Sequence, residues 1–239
     1  MPQAELNPRR EGRGCATPER QTTTIGCGGA EVAYGGGQEL PPLPTPLAGW
    51  DPMGIRPRYG SYRGFIRLVL AEIENLAGLR RFAPIRWASV TRLVFVCRGN
   101  ICRSPYAERR AASCGLPAAS FGLAAATGGL ADPTASRIAG RRGVQLAHHR
   151  ACDFSDFVLC GGDLLVVMEP RQMREIMPRL PPLPLQMTLL GRWSRPRRLH
   201  LHDPFRLSEA YWERCFDIID SAVQGIAEQM RPSLSHARS

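Results

Sequence analysis

Arg92-Leu-Val-Phe-Val-Cys97-Arg-Gly-Asn-Ile-Cys-Arg-Ser-Pro-Tyr-Ala-Glu108 is the stretch on which the reading of the chain turns. Its first five residues are apolar and β-branched after the arginine, the pattern of a buried parallel strand. Its last five read as a helix start, with Ser104 as N-cap, Pro105 at the first helical position and Glu108 in the first turn. The strand thus ends on the Cys97 thiol and wraps through six residues into a helix N-terminus. Backbone N–H groups in such a turn converge on a concavity that suits a phosphate-like anion. Arg103 can offer a planar guanidinium to two oxygens at once, a geometry lysine lacks. Those N–H dipoles, the helix end and Arg103 all favour the Cys97 thiolate, and a thiolate beneath a bound phosphoryl group is an in-line nucleophile.

Composition narrows the possibilities. The 239 residues accommodate one core of about 150 residues plus an extension. The net charge is +10 and carried by arginine alone, since the sequence contains no lysine. That balance suits an acidic or phosphorylated partner, and equally a nucleic acid or an anionic membrane surface. No basic-aromatic pattern of a nucleic-acid module accompanies it, so none is expected as a ligand. The eight cysteines include no Cys-x(2)-Cys pair, which argues against zinc, and free thiols fit a reducing cytosol. Neither a signal-peptide core nor an apolar run of about 18 residues is present, so a cytoplasmic protein without a transmembrane segment is expected.

Along the chain, residues 1–60 are rich in Gly, Pro, Thr and Arg and are expected to be unstructured, with PPLPTP favouring polyproline II. Met53 is an alternative start. Residues 61–89 form an amphipathic helix and linker; Phe65, Leu68, Val69, Ile73, Leu76 and Leu79 recur at helical spacing over 63–81. Such a helix can dock on the core, pair with a partner or lie on a membrane surface. The catalytic domain spans 90–232, with a disordered tail over 233–239. Within it, helices are expected at 105–114, 133–143, 154–160, 170–177 and 207–230. Further strands are expected at 119–125, 163–168 and 186–190. Strands alternating with helices give an α/β fold with a parallel sheet covered on both faces, and ligands bind at the carboxyl ends of its strands.

The spacing Cys-x(5)-Arg-Ser resembles the phosphate loop of cysteine-dependent phosphatases. The fuller string VCxGNICRSPxAE is similar to that of the low-molecular-weight protein-tyrosine phosphatase family, in its bacterial branch. SFGLAAATGGLADP, GVQLAHHRA, DLLVVME, LLGRW and DPF extend the resemblance over nearly the whole domain. It implies a four-stranded parallel sheet flanked by helices. It implies hydrolysis of phosphotyrosine through a phosphocysteine on Cys97, with Arg103 as clamp and Asp203, before Pro204, as general acid and then base. The phosphate would rest on Arg98, Gly99, Asn100, Ile101, Cys102, Arg103 and Ser104. The resemblance further implies that Asn100 holds the loop's backbone with Ser120 and His149, that Ser104 donates to the Cys97 thiolate, and that Phe205 walls the substrate ring. It implies no cofactor and no metal. The implied partner is a phosphotyrosine protein, an autophosphorylating tyrosine kinase of polysaccharide export; the oligomeric state is left open.

Other readings compete at particular residues. Ser104 also reads as a plain helix cap, His149 as a core histidine and Asp203 as a turn residue. Cys102 is placed to trap an oxidised Cys97 as a disulfide, or is simply a small loop residue. His200 and His202 could face one metal, but no third ligand is evident. Arsenate reductases of this fold carry Gln where Pro105 stands and a cysteine relay after the third strand, where Val166–Arg171 has none. Protein-arginine phosphatases carry Thr at the position of Ile101. A non-catalytic phosphoprotein adaptor built on the helix near 63–81 is the reading from a different class, and the intact Cys97, Arg103 and Asp203 weigh against it.

Overall fold

Alternate residues of the first strand go to opposite faces of one sheet. In β1 (Arg92–Cys97), Leu93, Phe95 and Cys97 join one apolar cluster while Val94 and Val96 join another. β3 (Asp163–Val167) divides the same way, with Leu164 and Val166 on one side and Leu165 and Val167 on the other. A strand buried on both faces needs apolar residues at every position, which is why these segments read as unbroken runs. Each such side chain contributes about 1.5–3 kcal/mol by leaving water.

The computed structural model describes residues 51, 53–78 and 83–236, without the side chains of 232–236, and all lie in one unit, Gly49–Ser239. With β2 (Ala118–Gly122) and β4 (Gln186–Leu189) the strands form a parallel sheet in the order β2-β1-β3-β4. α1 (Ile55–Tyr59) and α2 (Tyr62–Leu76) precede the sheet. α3 (Arg103–Ser113) follows β1, α4 (Pro133–Arg141) follows β2, α5 (Pro170–Ile176) follows β3, and α6 (Glu209–His236) closes the chain. α6 covers one face of the sheet with Trp212, Phe216, Ile219 and Val223, and Phe216 stacks on Tyr106 of α3 at 3.8 Å. The other face is covered by Ile176 of α5, Leu199 and Ala71 of α2.

Several expectations need correction. The unstructured extension was expected to reach residue 60, yet Ile55–Tyr59 is helical, and Asp51 accepts hydrogen bonds from the N–H groups of Ile55 and Arg56. The expectations for residues 1–50 and for Leu79, Arg80 and Arg81 lie outside the described residues. No helix forms at 154–160. There the Phe154 N–H donates to the Gly122 carbonyl, so the backbone pairs beside the end of β2 in a single parallel bridge, while Phe154 and Phe157 lie against Phe121. α3 begins at Arg103, so Ser104 is inside the helix and is not its N-cap. The final helix runs to His236, beyond the domain end expected at 232.

α2 sits close to the domain through Gly64. A Cβ there would lie 2.2 Å from the Tyr59 carbonyl oxygen and 2.9 Å from the His202 ring. His202 anchors the helix start, its Nε2 being 3.0 Å from the Oγ of the N-cap Ser61.

Candidate active site

The loop between β1 and α3 is held open by its own carbonyls. Those of Cys97, Arg98 and Ile101 accept hydrogen bonds from the N–H groups of Leu123, Ala124 and Asp132, and that of Asn100 meets His149 Nε2 at 2.7 Å. In a trans peptide the N–H points opposite its carbonyl. The amides of Arg98, Gly99, Ile101 and Cys102 are therefore directed away from these outer partners, to the loop's interior. Gly122, paired with Cys97 across β1 and β2, allows this approach: a Cβ there would meet the Arg98 carbonyl oxygen at 2.7 Å and the Asn100 nitrogen at 2.9 Å.

Asn100 is the knot of the loop. Its φ is 51°, the left-handed region that Asn tolerates better than most residues. Its Nδ2 donates to Ser104 Oγ and Ser120 Oγ, both at 2.8 Å, and its Oδ1 accepts from the Cys152 N–H at 2.9 Å. Ser120 passes the chain on to Glu108 Oε2 at 2.6 Å. Burial raises the Glu108 pKa against the pull of Ser120 and Arg109. Burial likewise lowers that of His149, overriding its bond to the Asn100 carbonyl.

Cys97, 2% exposed, lies at the floor of a cleft of about 210 Å³. Two donors converge on its sulfur: the Asn100 N–H at 3.2 Å and Ser104 Oγ at 3.1 Å. Arg103 lines the cleft from within the protein, 1% exposed. Its Nη1 donates to Glu169 Oε1 and to the Leu201 carbonyl, each at 2.8 Å, and its Nη2 meets Asp203 Oδ2 at 2.8 Å. Asp203, Phe205 and Arg98 form the rim. Cys102 lines the cleft as a free thiol whose pKa is driven far up by burial and by the charges of Cys97 and Asp203.

The structure therefore brings Cys97, Arg98, Gly99, Ile101, Cys102, Arg103, Asp203 and Phe205 to one cleft. It places Asn100, Ser104, Ser120 and His149 in the network beneath it. His200 and His202 do not face a common metal with a third ligand; among the described residues no such group of His, Cys, Asp and Glu exists. Sequence reasoning missed Glu169, which stands just before the helix expected at 170–177, and the link from Ser120 to Glu108. Burial works to raise the Glu169 pKa, but the charge and hydrogen bond of Arg103, then His200 and Arg171, hold it at about 2. An acid closing an apolar strand was the available signal: a buried carboxylate requires a buried cation.

Residues 92–235 match the family described as low molecular weight phosphotyrosine protein phosphatase. The chain belongs to this family. Over 140 residues it is 29% identical to the low molecular weight protein-tyrosine-phosphatase Etp of Escherichia coli K12, covering 58% of this chain and 93% of Etp. The crystal structure of the tyrosine phosphatase AmsI of Erwinia amylovora superposes with a TM-score of 0.52 at 31% identity, covering 59% of this chain and 93% of that one. That of Wzb from Escherichia coli K30, in complex with sulphate, does so with a TM-score of 0.51 at 28% identity, covering 59% and 99%. The phosphatases named here are bacterial, and the family is one of cysteine-dependent hydrolases. Among the described residues no helix is long and apolar enough to cross a membrane.

Proposed function

We propose that this phosphatase hydrolyses phosphotyrosine in proteins through a phosphocysteine on Cys97, with Arg103 as oxygen clamp and Asp203 as general acid and base. One observation carries the reading: the Cys97 sulfur, the Arg103 guanidinium and the Asp203 carboxylate line a single cleft, with Asp203 already 2.8 Å from Arg103. Arriving phosphoryl oxygens take over Arg103 Nη2 and the loop amides, and Asp203 is released toward the leaving oxygen. The Cys97 thiolate attacks phosphorus in line as the P–O bond breaks, and Asp203, which takes up a proton from solvent once released from Arg103, gives that proton to the departing phenolate. Asp203, now a carboxylate, then takes a proton from water as that water attacks the phosphocysteine. The S–P bond breaks to return the thiolate, which Ser104 and the Asn100 N–H stabilise by hydrogen bonding. Phe205 offers a ring face to the substrate's aromatic group.

The proposed substrate is an autophosphorylating tyrosine kinase of polysaccharide export, and the proposed compartment is the cytoplasm. Resemblance to the bacterial phosphatases and the basic rim at Arg98 support both. Hydrolysis of an aryl phosphate by wild type, Cys97→Ser and Asp203→Ala, with EDTA present and arsenate reduction run in parallel, tests the reading. Turnover by wild type, none by Cys97→Ser and a rate lower by about 100-fold or more in Asp203→Ala are expected. An inert wild type, or one that reduces arsenate instead, overturns it.

A further inference from the structure

α2 carries most of its large apolar residues on its outer face. Its buried residues are small, Gly64 and Ala71. Six of its large apolar residues face solvent, while Phe65 and Leu68 are half-buried: Leu76 is 80% exposed, Ile66 55%, Ile73 53%, Leu70 52%, and Tyr62 and Val69 39% each. At 3.6 residues per turn these six form one stripe roughly 120° wide, diametrically opposite Gly64 and Ala71. They expose on the order of 500 Å² together, near the top of what a monomer leaves in water.

The stripe has a basic margin. Arg63 and Arg67 run along one side of it and are exposed. Beyond Arg67 lies a cavity of about 230 Å³, separate from the catalytic cleft. Arg67 and Leu70 of α2 line it with Arg171 and Arg174 of α5, so stripe and cavity share a border at Leu70. Three guanidinium groups line it beside one carboxylate, Glu74, and Arg171 is also paired with the buried Glu169 at 2.7 Å. His200, whose side chain is 3% exposed, also lines the cavity, and its buried Nε2 has no hydrogen-bond partner.

We propose that this face docks on an anionic phospholipid surface, with Ile66, Val69, Leu70, Ile73 and Leu76 among the upper acyl carbons and a lipid phosphate in the Arg67–Arg171–Arg174 cavity. A second copy of the chain is the other natural occupant, and two features disfavour it. The stripe falls short of the roughly 800 Å² that each partner of a stable complex buries. Pairing it with itself also leaves its basic margin without countercharge. A bilayer meets both needs, giving apolar depth to the stripe and negative headgroups to the arginines. The net charge of +10 acts in the same direction.

Co-sedimentation of the full chain with phosphatidylcholine vesicles, with and without phosphatidylglycerol, is the test. Binding is expected only with phosphatidylglycerol and should weaken with salt. Ile73→Glu and Leu76→Glu should each lower the bound fraction about tenfold or more. Arg174→Glu should lower it while leaving kcat/KM for an aryl phosphate unchanged. Absence of phosphatidylglycerol-dependent binding overturns the proposal, as does binding indifferent to these substitutions. Reversible dimerisation abolished by Ile73→Glu, without vesicle binding, overturns it by assigning the stripe to a second copy.

Discussion

Arg103 Nη1 and Glu169 Oε1 lie 2.8 Å apart where neither side chain reaches water, at 1% and 0% exposure. The pair turns a flexible arginine into a fixed part of the cleft: with Glu169 and the Leu201 carbonyl holding Nη1, Nη2 is left for Asp203 or a phosphoryl oxygen. Removing one member of a buried pair strands the other's charge, at a cost of about 3–5 kcal/mol. Glu169→Ala should lose that much stability in urea unfolding. In steady-state kinetics its kcat/KM should fall by at least tenfold or so, because the clamp loses its aim.

Acid should destabilise the protein in two steps of the same sign. Burial lowers the pKa of His200 to about 4, against the pull of Glu169, and moves His149 and His202 in the same direction from 6.5. A folded pKa below the unfolded one means that the unfolded chain takes up protons first as pH falls. Stability present above about 6.5 is therefore lost on the way down to about 4, by up to ~1.4 kcal/mol per pH unit for each proton withheld. Glu169, shifted from 4.5 to about 2, continues the loss below 4.5. Urea midpoints measured between pH 7 and 4 should fall, and His200→Gln should flatten the slope.

Asn100 serves through both its backbone and its amide, and two substitutions separate these. Asn100→Gly keeps the left-handed φ of 51° but drops the bonds to Ser104, Ser120 and Cys152. Asn100→Ala loses both and should melt lower than the glycine variant by the equivalent of about 1–2 kcal/mol. Both should be poor catalysts in the aryl phosphate assay.

Ser104→Ala should slow one half of the reaction more than the other. Its hydroxyl, 3.1 Å from the Cys97 sulfur, matters most when that sulfur leaves phosphorus. Stopped-flow release of nitrophenol should retain a burst, followed by a steady rate lower by about 100-fold.

The catalytic loop and the sheet were legible because each rests on local rules. A strand buried on two faces must be apolar throughout, and the loop's residue types follow from anion binding at a strand-to-helix turn. What was not legible depended on distant partners. Glu169 stands only as the residue before the helix expected at 170–177 until β1 and β3 lie side by side and Arg103 meets it. The segment 154–160 has residues compatible with a helix, but the open edge of β2 claims the Phe154 N–H. Ser104 reads as a cap by its neighbours and is spent instead on the sulfur of Cys97. The periodicity of α2 picked out Val69, Ile73 and Leu76 of its exposed stripe but grouped them with Phe65 and Leu68, which are half-buried, and did not say which side would be covered. Gly64 and Ala71 allow close approach to the domain, and no sequence period reports that.

Gly122 binds no phosphate and moves no proton, yet no side chain fits between it and the loop carrying Cys97. A genetic survey scored only for lost activity would rank Gly122 with the nucleophile, so essentiality and chemistry part company at this position. Directed evolution toward bulkier substrates should accordingly find freedom at the rim, at Arg98 and Phe205, and almost none along the seam where the second strand meets the loop.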